Sequence, residues 1–187
     1  MNSILLWVLA GLLTIVFFGW LIGLYNSLVH LKNNIKKSYA NIDVLLKQRS
    51  DELPNLIRTV KGYMKHERET LQRITEARAA MVNAESPGQK AAADNMLTGA
   101  LKSLFAVAEN YPDLKAQKNF SQLQTRISGL ENELADRREF YNDSVNIYNI
   151  RIHQFPAVLI ASMLGYNEEN LFKASAKDRK YVDINFD

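Results

Sequence analysis

Residues 120–155 read FSQLQTRISGLENELADRREFYNDSVNIYNIRIHQF. Within them Phe120, Leu123, Ile127, Leu130, Leu134, Arg137, Tyr141, Ser144 (or Val145), Tyr148, Ile152 and Phe155 fall three or four residues apart. That spacing is helical, and its heptad-like regularity makes a seam that must face other helices. Neither proline nor any glycine but Gly129 interrupts the run. A chain that commits so long a stretch to one helix is expected to be all-α, and the rest of the sequence agrees.

Upstream the same period recurs between prolines. Leu28, Leu31, Ile35, Ser38, Ile42 and Leu45 form a first stretch, and Ile57, Val60, Met64, Leu71, Ile74 and Met81 a second. Leu97, Leu101, Leu104, Ala108 and Tyr111 form a third, opened by the turn Ser86-Pro87-Gly88. Pro54, Pro87, Pro112 and Pro156 each read as a helix start, because proline lacks the N–H that a helix interior uses. Gly62 falls inside the second stretch. It costs about 1 kcal/mol against alanine there and implies a bend or a close helix approach.

Ile4–Tyr25 is different in kind. It is apolar apart from Thr14 and three glycines, and the first charged side chain of the chain is Lys32. About 20 such residues span a hydrocarbon core as a helix. Trp7, Trp20 and Tyr25 suit the interfacial belts at its ends. A cleaved signal peptide fits less well: the n-region has no Lys or Arg, the apolar run is too long and no A-x-A-like site follows. Lys32, Lys36 and Lys37 precede the first acid, Asp43. The positive-inside bias therefore places the bundle in the cytoplasm and the short N-terminus outside.

The expected architecture is an N-terminal transmembrane helix running on into an antiparallel up-down bundle of about four long helices. A short C-terminal helix and an extended tail follow. The corresponding divisions are a tail at 1–3, the membrane helix at 4–25, the bundle at 26–165 and a tail at 166–187. Lengths raise a difficulty: at about 1.5 Å per residue, 25–49 spans roughly 36 Å and 119–155 roughly 55 Å. The uncharged run Pro156–Leu164, ended by Gly165, either caps the bundle or lies against the membrane. Val182, Ile184 and Phe186 alternate weakly, as a strand does.

Chemistry is scarce. There is no Cys, which excludes disulfides, thiolate zinc sites and cysteine nucleophiles. His30, His66 and His153 are scattered, and neither H-E-x-x-H nor a glycine-rich phosphate loop occurs. Glu131, Glu133, Asp136, Glu139 and Asp143 interleave with Arg137 and Arg138 as a solvated helix face does. No catalytic residue, cofactor or metal ligand is assigned. The 23 Lys+Arg against 20 Asp+Glu give a net charge of +3, too weak and too scattered for nucleic acid. The cluster Lys32-Lys36-Lys37-Lys47-Arg49 reads as a site for anionic headgroups. Gly19 and Gly23 form a G-x-x-x-G pair through which two membrane helices can approach.

In their order and spacing several blocks resemble the LemA family of small bacterial membrane proteins. They begin with Tyr25-Asn26-Ser27-Leu28-Val29 and Leu53-Pro54-Asn55-Leu56-Ile57. Next come Thr59-Val60-Lys61-Gly62-Tyr63, His66-Glu67 and Tyr111-Pro112-Asp113-Leu114. Asn119-Phe120, Leu123-Gln124, Arg137-Arg138, Tyr141-Asn142, Val145, Tyr148-Asn149 and Phe155-Pro156 complete the set. The resemblance implies one membrane helix in the bacterial inner membrane with a cytoplasmic helical bundle. It carries no catalytic residues, and it hints at a membrane protein, such as a membrane protease, as partner. Tyr141, Tyr148 and Phe155, seven apart, form an aromatic ladder: either core rings or a partner groove.

Three functions are expected in descending order. The first is a non-enzymatic scaffold or adaptor that forms homo-oligomers or holds a membrane partner. The second is a protein that shapes or binds the lipid surface, with Lys32–Arg49 and 156–164 pressed on it. A cryptic hydrolase or metal enzyme is a distant third.

Overall fold

A computed structural model describes residues 2–64 and 66–173. The alternation at 182–186 lies outside the described residues. Six helices follow in order: α1 (Asn2–Lys61), α2 (Arg68–Val82), α3 (Pro87–Ala108), α4 (Pro112–Lys115), α5 (Lys118–His153) and α6 (Ala157–Met163). No strand occurs among the described residues. The chain divides into two compact units. One combines residues 1–37 with 143–169, and the other 38–142 with 170–187.

α1 is the correction to the proline reading. Pro54 does not start a helix; it lies inside α1, which continues to Lys61. Proline at this position removes the bond that the Ser50 carbonyl would accept four residues back. The Arg78 Nε–H of α2 donates to that carbonyl instead, at 3.4 Å. The freed acceptor is thus answered from a neighbouring helix. The extension also removes the length difficulty, since residues 26–61 match the 36 residues of α5. Gly62 is not in a helix interior either. It follows the last residue of α1, where the chain turns at 62–63. No close approach explains this glycine, because an added Cβ would meet only the Thr59 carbonyl at 3.9 Å.

The other prolines behave as expected. Ser86 caps α3: its hydroxyl accepts from the Gln89 N–H, while the Gln89 side chain accepts from the Ser86 N–H, both at 3.2 Å. Pro87 follows at the start of the helix. This reciprocal arrangement satisfies donors that a helix start leaves open. Pro112 opens α4, and Pro156 immediately precedes α6. Gly165 has φ 64°. The Tyr166 N–H bonds the Ala161 carbonyl at 2.9 Å and the Gly165 N–H that of Ser162 at 3.2 Å. These two bonds form a Schellman closure, which favours glycine.

In the unit of 38–142 and 170–187, buried apolar residues come from five helices. Leu53, Leu56 and Val60 of α1 join Ile74 and Ala77 of α2, Leu97, Leu101 and Leu104 of α3, Leu114 of α4, and Phe120 and Ile127 of α5. A charged cluster accompanies this core. Arg49, 1% exposed, donates to Asp94 at 2.6 Å, Thr98 at 3.0 Å and Glu131 at 3.4 Å. Arg138 of α5 pairs with the other oxygen of Asp94. Burial lowers the pKa of both guanidiniums, and Arg49 adds to the effect on Arg138. Arg49 therefore leaves the expected set of lipid-facing cations. Lys47 pairs with Asp51 at 3.2 Å.

Two substitutions test these readings by chemical denaturation of the full chain in detergent. Asp94→Ala leaves buried guanidinium charge without its main counter-ion and is expected to cost about 3–5 kcal/mol. Arg78→Ala is expected to cost about 1 kcal/mol, the worth of one hydrogen bond. In a Pro54→Ala background that cost should largely vanish, because the Ser50 carbonyl regains a partner within its own helix.

Candidate functional site: the tyrosine–asparagine clamps

The Tyr-Asn pairs singled out by the sequence lie on α5, and the structure shows what they hold. Tyr141 and Tyr148 are buried, at 2% and 0% exposure, as the heptad seam requires. Phe155 is not the third rung. It lies past the end of α5 and is 80% exposed. Arg137 is exposed as well, and the seam between Leu134 and Tyr141 is filled by half-buried Arg138; Val145, not Ser144, is the buried choice further on.

In the unit of 1–37 and 143–169, the first pair grips the chain after α6. The Asn149 amide donates to the Glu169 carbonyl and accepts from the Glu169 N–H, each at 2.9 Å. A side-chain amide thereby acts as one rung of a β-ladder. The Tyr148 hydroxyl donates to the Asn167 carbonyl at 3.2 Å, and its ring meets Tyr166 at 6.2 Å. The Lys32 ammonium sits 4.2 Å from the centre of the Tyr166 ring. His153 and Glu168 are 2.8 Å apart.

In the other unit the second pair does the same seven residues earlier on α5. The Tyr141 hydroxyl donates to the Asn170 carbonyl at 2.9 Å, and Asn142 accepts from the Phe172 N–H at 2.8 Å. Phe172, 4% exposed, meets Tyr141 edge-on at 6.3 Å and lies under the Arg138 guanidinium at 5.1 Å. The partner-groove reading of these pairs gives way, in each unit, to contacts with the chain's own residues: 166–169 in the first and 170–172 in the second.

The remaining motif residues fall into place more simply. Leu53 is buried at 0% beside half-buried Pro54 on α1, while Asn55, Tyr25 and Asn26 are exposed. Glu67 accepts from the Tyr111 hydroxyl at 3.3 Å, which joins the His66-Glu67 and Tyr111-Pro112 blocks. Burial, then Glu67, raises the Tyr111 pKa. His66 and Tyr63 are exposed. Gly19 and Gly23 have nothing within 4 Å of an added Cβ. Lys36 and Lys37 are exposed, and Lys32 is half-buried. Lys90 pairs with Asp43 beside Tyr39. Burial disfavours its charge, but those two partners outweigh this and raise its pKa.

Sequence reasoning missed both the Arg49–Asp94 cluster and the target of the asparagines. A lone Asp94 among alanines was the available signal for the first. The second needs tertiary structure, since nothing in 166–172 has a strand-like pattern.

These features define an all-helical protein with, among the described residues, one helix long and apolar enough to cross a membrane. The family model of the LemA family matches residues 38–186, and the chain belongs to that family. Protein LemA of Metamycoplasma hominis is 32% identical over 181 residues, covering 94% of this chain and 81% of the relative. Magnetosome protein MamQ 2 of Paramagnetospirillum magneticum is 24% identical over 194 residues, covering 90% and 71%. Magnetosome protein MamQ of Magnetospirillum gryphiswaldense is 21% identical over 184 residues, covering 84% and 68%.

Asn149→Ala removes two hydrogen bonds and is expected to cost about 2 kcal/mol. The amides of 167–172 should then exchange faster, read by hydrogen-exchange mass spectrometry. The burial of Tyr148 in the same clamp gives a pH dependence. Burial raises the Tyr148 pKa, with Glu169 and Tyr166 adding to it. The folded chain thus holds this proton more tightly than the unfolded chain, whose tyrosine titrates at about 10. The stabilisation is complete below that pH and is lost as pH rises through the raised value. Tyr148→Phe should flatten this alkaline loss in denaturation midpoints.

Proposed function

We propose that this protein is a non-enzymatic scaffold or adaptor, anchored in the bacterial inner membrane with its helical part in the cytoplasm. The observation that carries this reading is α1. One unbroken helix, Asn2–Lys61, bears the exposed apolar span and also supplies buried residues to each unit. A helix that serves both as anchor and as core joins the two roles in one element, a property that suits holding partners at a membrane. Two of the relatives are named magnetosome proteins, which supports a membrane-associated role.

Gly19 and Gly23 would bring two spans together into a homo-oligomer, and a membrane protein such as a membrane protease is the other class of partner. Lys32, Lys36 and Lys37 would face anionic headgroups, each adding about 1 kcal/mol when close to the surface. The exposed apolar residues Phe155, Leu159 and Met163 favour lipid-surface binding as a second reading over an enzyme.

Crosslinking in native membranes and native mass measurement of detergent-free vesicles test the proposal. Oligomers or complexes with membrane proteins are expected. Gly19→Ile with Gly23→Ile should lower self-association several-fold while leaving the fold intact, because both positions are open. Monomers alone, with no crosslinked membrane protein, would overturn it.

A further inference from the structure

Exposed large apolar side chains continue beyond the span. Phe155, Leu159 and Met163, four residues apart, are 80%, 59% and 88% exposed, and Leu164 is 39% exposed. The opposite side of α6 is closed by Ala157 and Ala161, at 0% and 2%. No charged residue occurs from Gln154 to Tyr166. All of these residues belong to the same compact unit as the span, 1–37 with 143–169.

Their height along α1 follows from contacts within that unit. Tyr148 and Lys32 both meet the Tyr166 ring, so they lie at one level. Leu24 is 8% exposed, although it lies about 12 Å from Lys32 towards the span. The rest of the unit covers it only if α5 runs from Tyr148 towards the span. From Tyr148, α5 runs on for about 7.5 Å to its end at His153, and Phe155 follows two residues later; seven residues back from Lys32, about 10 Å, is Tyr25. Phe155 therefore comes close to the level at which the apolar run 4–25 ends. The exposed stripe therefore begins where the hydrocarbon begins, with Lys36 and Lys37 exposed on the other side of that level.

We propose that α6 and its flanks form a second membrane contact, in which Phe155, Leu159 and Met163 lie in the boundary between headgroups and acyl chains beside the base of the span. The occupant is lipid. The stripe belongs to the same unit as the span's exposed apolar surface, carries no charge and has cations placed for anionic headgroups, as an interfacial helix does. The Schellman closure at Gly165 then turns the chain away from the lipid into the first clamp. The inference rests on α1 crossing the membrane.

The absence of native cysteine makes a direct test simple. Full-length Leu159→Cys, Met163→Cys, Phe17→Cys and Val82→Cys, each labelled with an environment-sensitive fluorophore, are reconstituted in phosphatidylcholine vesicles containing about one-third phosphatidylglycerol. Nitroxide-bearing lipids serve as quenchers. Labels at 159 and 163 should be quenched at least about threefold more than at Val82, which is 69% exposed in the other unit. Quenching at 17 but only background quenching at 159 and 163 overturns the inference and leaves the anchor standing. Emission shifted to the blue at 159 and 163 without lipid quenching means that protein covers the stripe, which also overturns it. Absence of quenching at 17 removes the anchor, and the inference with it.

Discussion

Arg49 has no access to water, and its charge must be met inside the protein. Asp94 meets it from α3, Glu131 from α5, and Arg138 completes the group from the far side of the carboxylate. Three helices are thereby fixed in rotation as well as in distance. Apolar side chains tolerate a helix sliding or turning by a fraction of a residue, whereas a guanidinium–carboxylate pair at 2.6 Å does not. The apolar core of the same unit supplies the larger share of burial energy. The charged group selects which packing that energy stabilises. Buried ion pairs are seldom the most stabilising solution at a site, so registry is the more economical explanation of this one.

Pro54 shows a related logic applied to the backbone. Removing an N–H from the inside of a helix leaves a carbonyl that must be answered, and Arg78 answers it. α1 and α2 are thus joined at a point where a regular helix would have no reason to interact outward. The same applies to the clamps. An asparagine side chain carries the donor and acceptor of a peptide group, so Asn149 pairs with residue 169 as a neighbouring strand would. In each case a deficit or surplus of hydrogen-bonding groups on one element is matched by another. These matches make contacts specific that hydrophobic spacing leaves interchangeable.

The all-helical fold and the apolar first segment were legible because each rests on a local property repeated many times. Spacing identified Leu28, Ile35 and Ile42, and later Leu97, Leu101 and Leu104, as buried, and they are. Capping signals worked where they are reciprocal, at Ser86 and Gln89. Single residues were less readable. Pro54 looks like a helix start because its compensating donor is 24 positions away in sequence, and Arg49 looks like one more cation beside Lys47. Phe155 kept the period of the seam for one position after the helix had ended. The Tyr-Asn pairs drew notice from their spacing, but their target is an irregular segment without a pattern of its own.

Both clamps take hold of peptide groups: the carbonyls of 167, 169 and 170 and the N–H groups of 169 and 172. Side-chain identity in that segment enters at Tyr166, which meets Tyr148 and Lys32, at Glu168, which pairs with His153, and at Phe172, which packs on Tyr141. Recognition of main chain is indifferent to most substitutions. It forbids only proline where an N–H is required, at 169 and 172. Positions 167, 169 and 170 can therefore change their side chains while the segment remains fastened, so that these positions are open to evolutionary drift in an otherwise constrained fold.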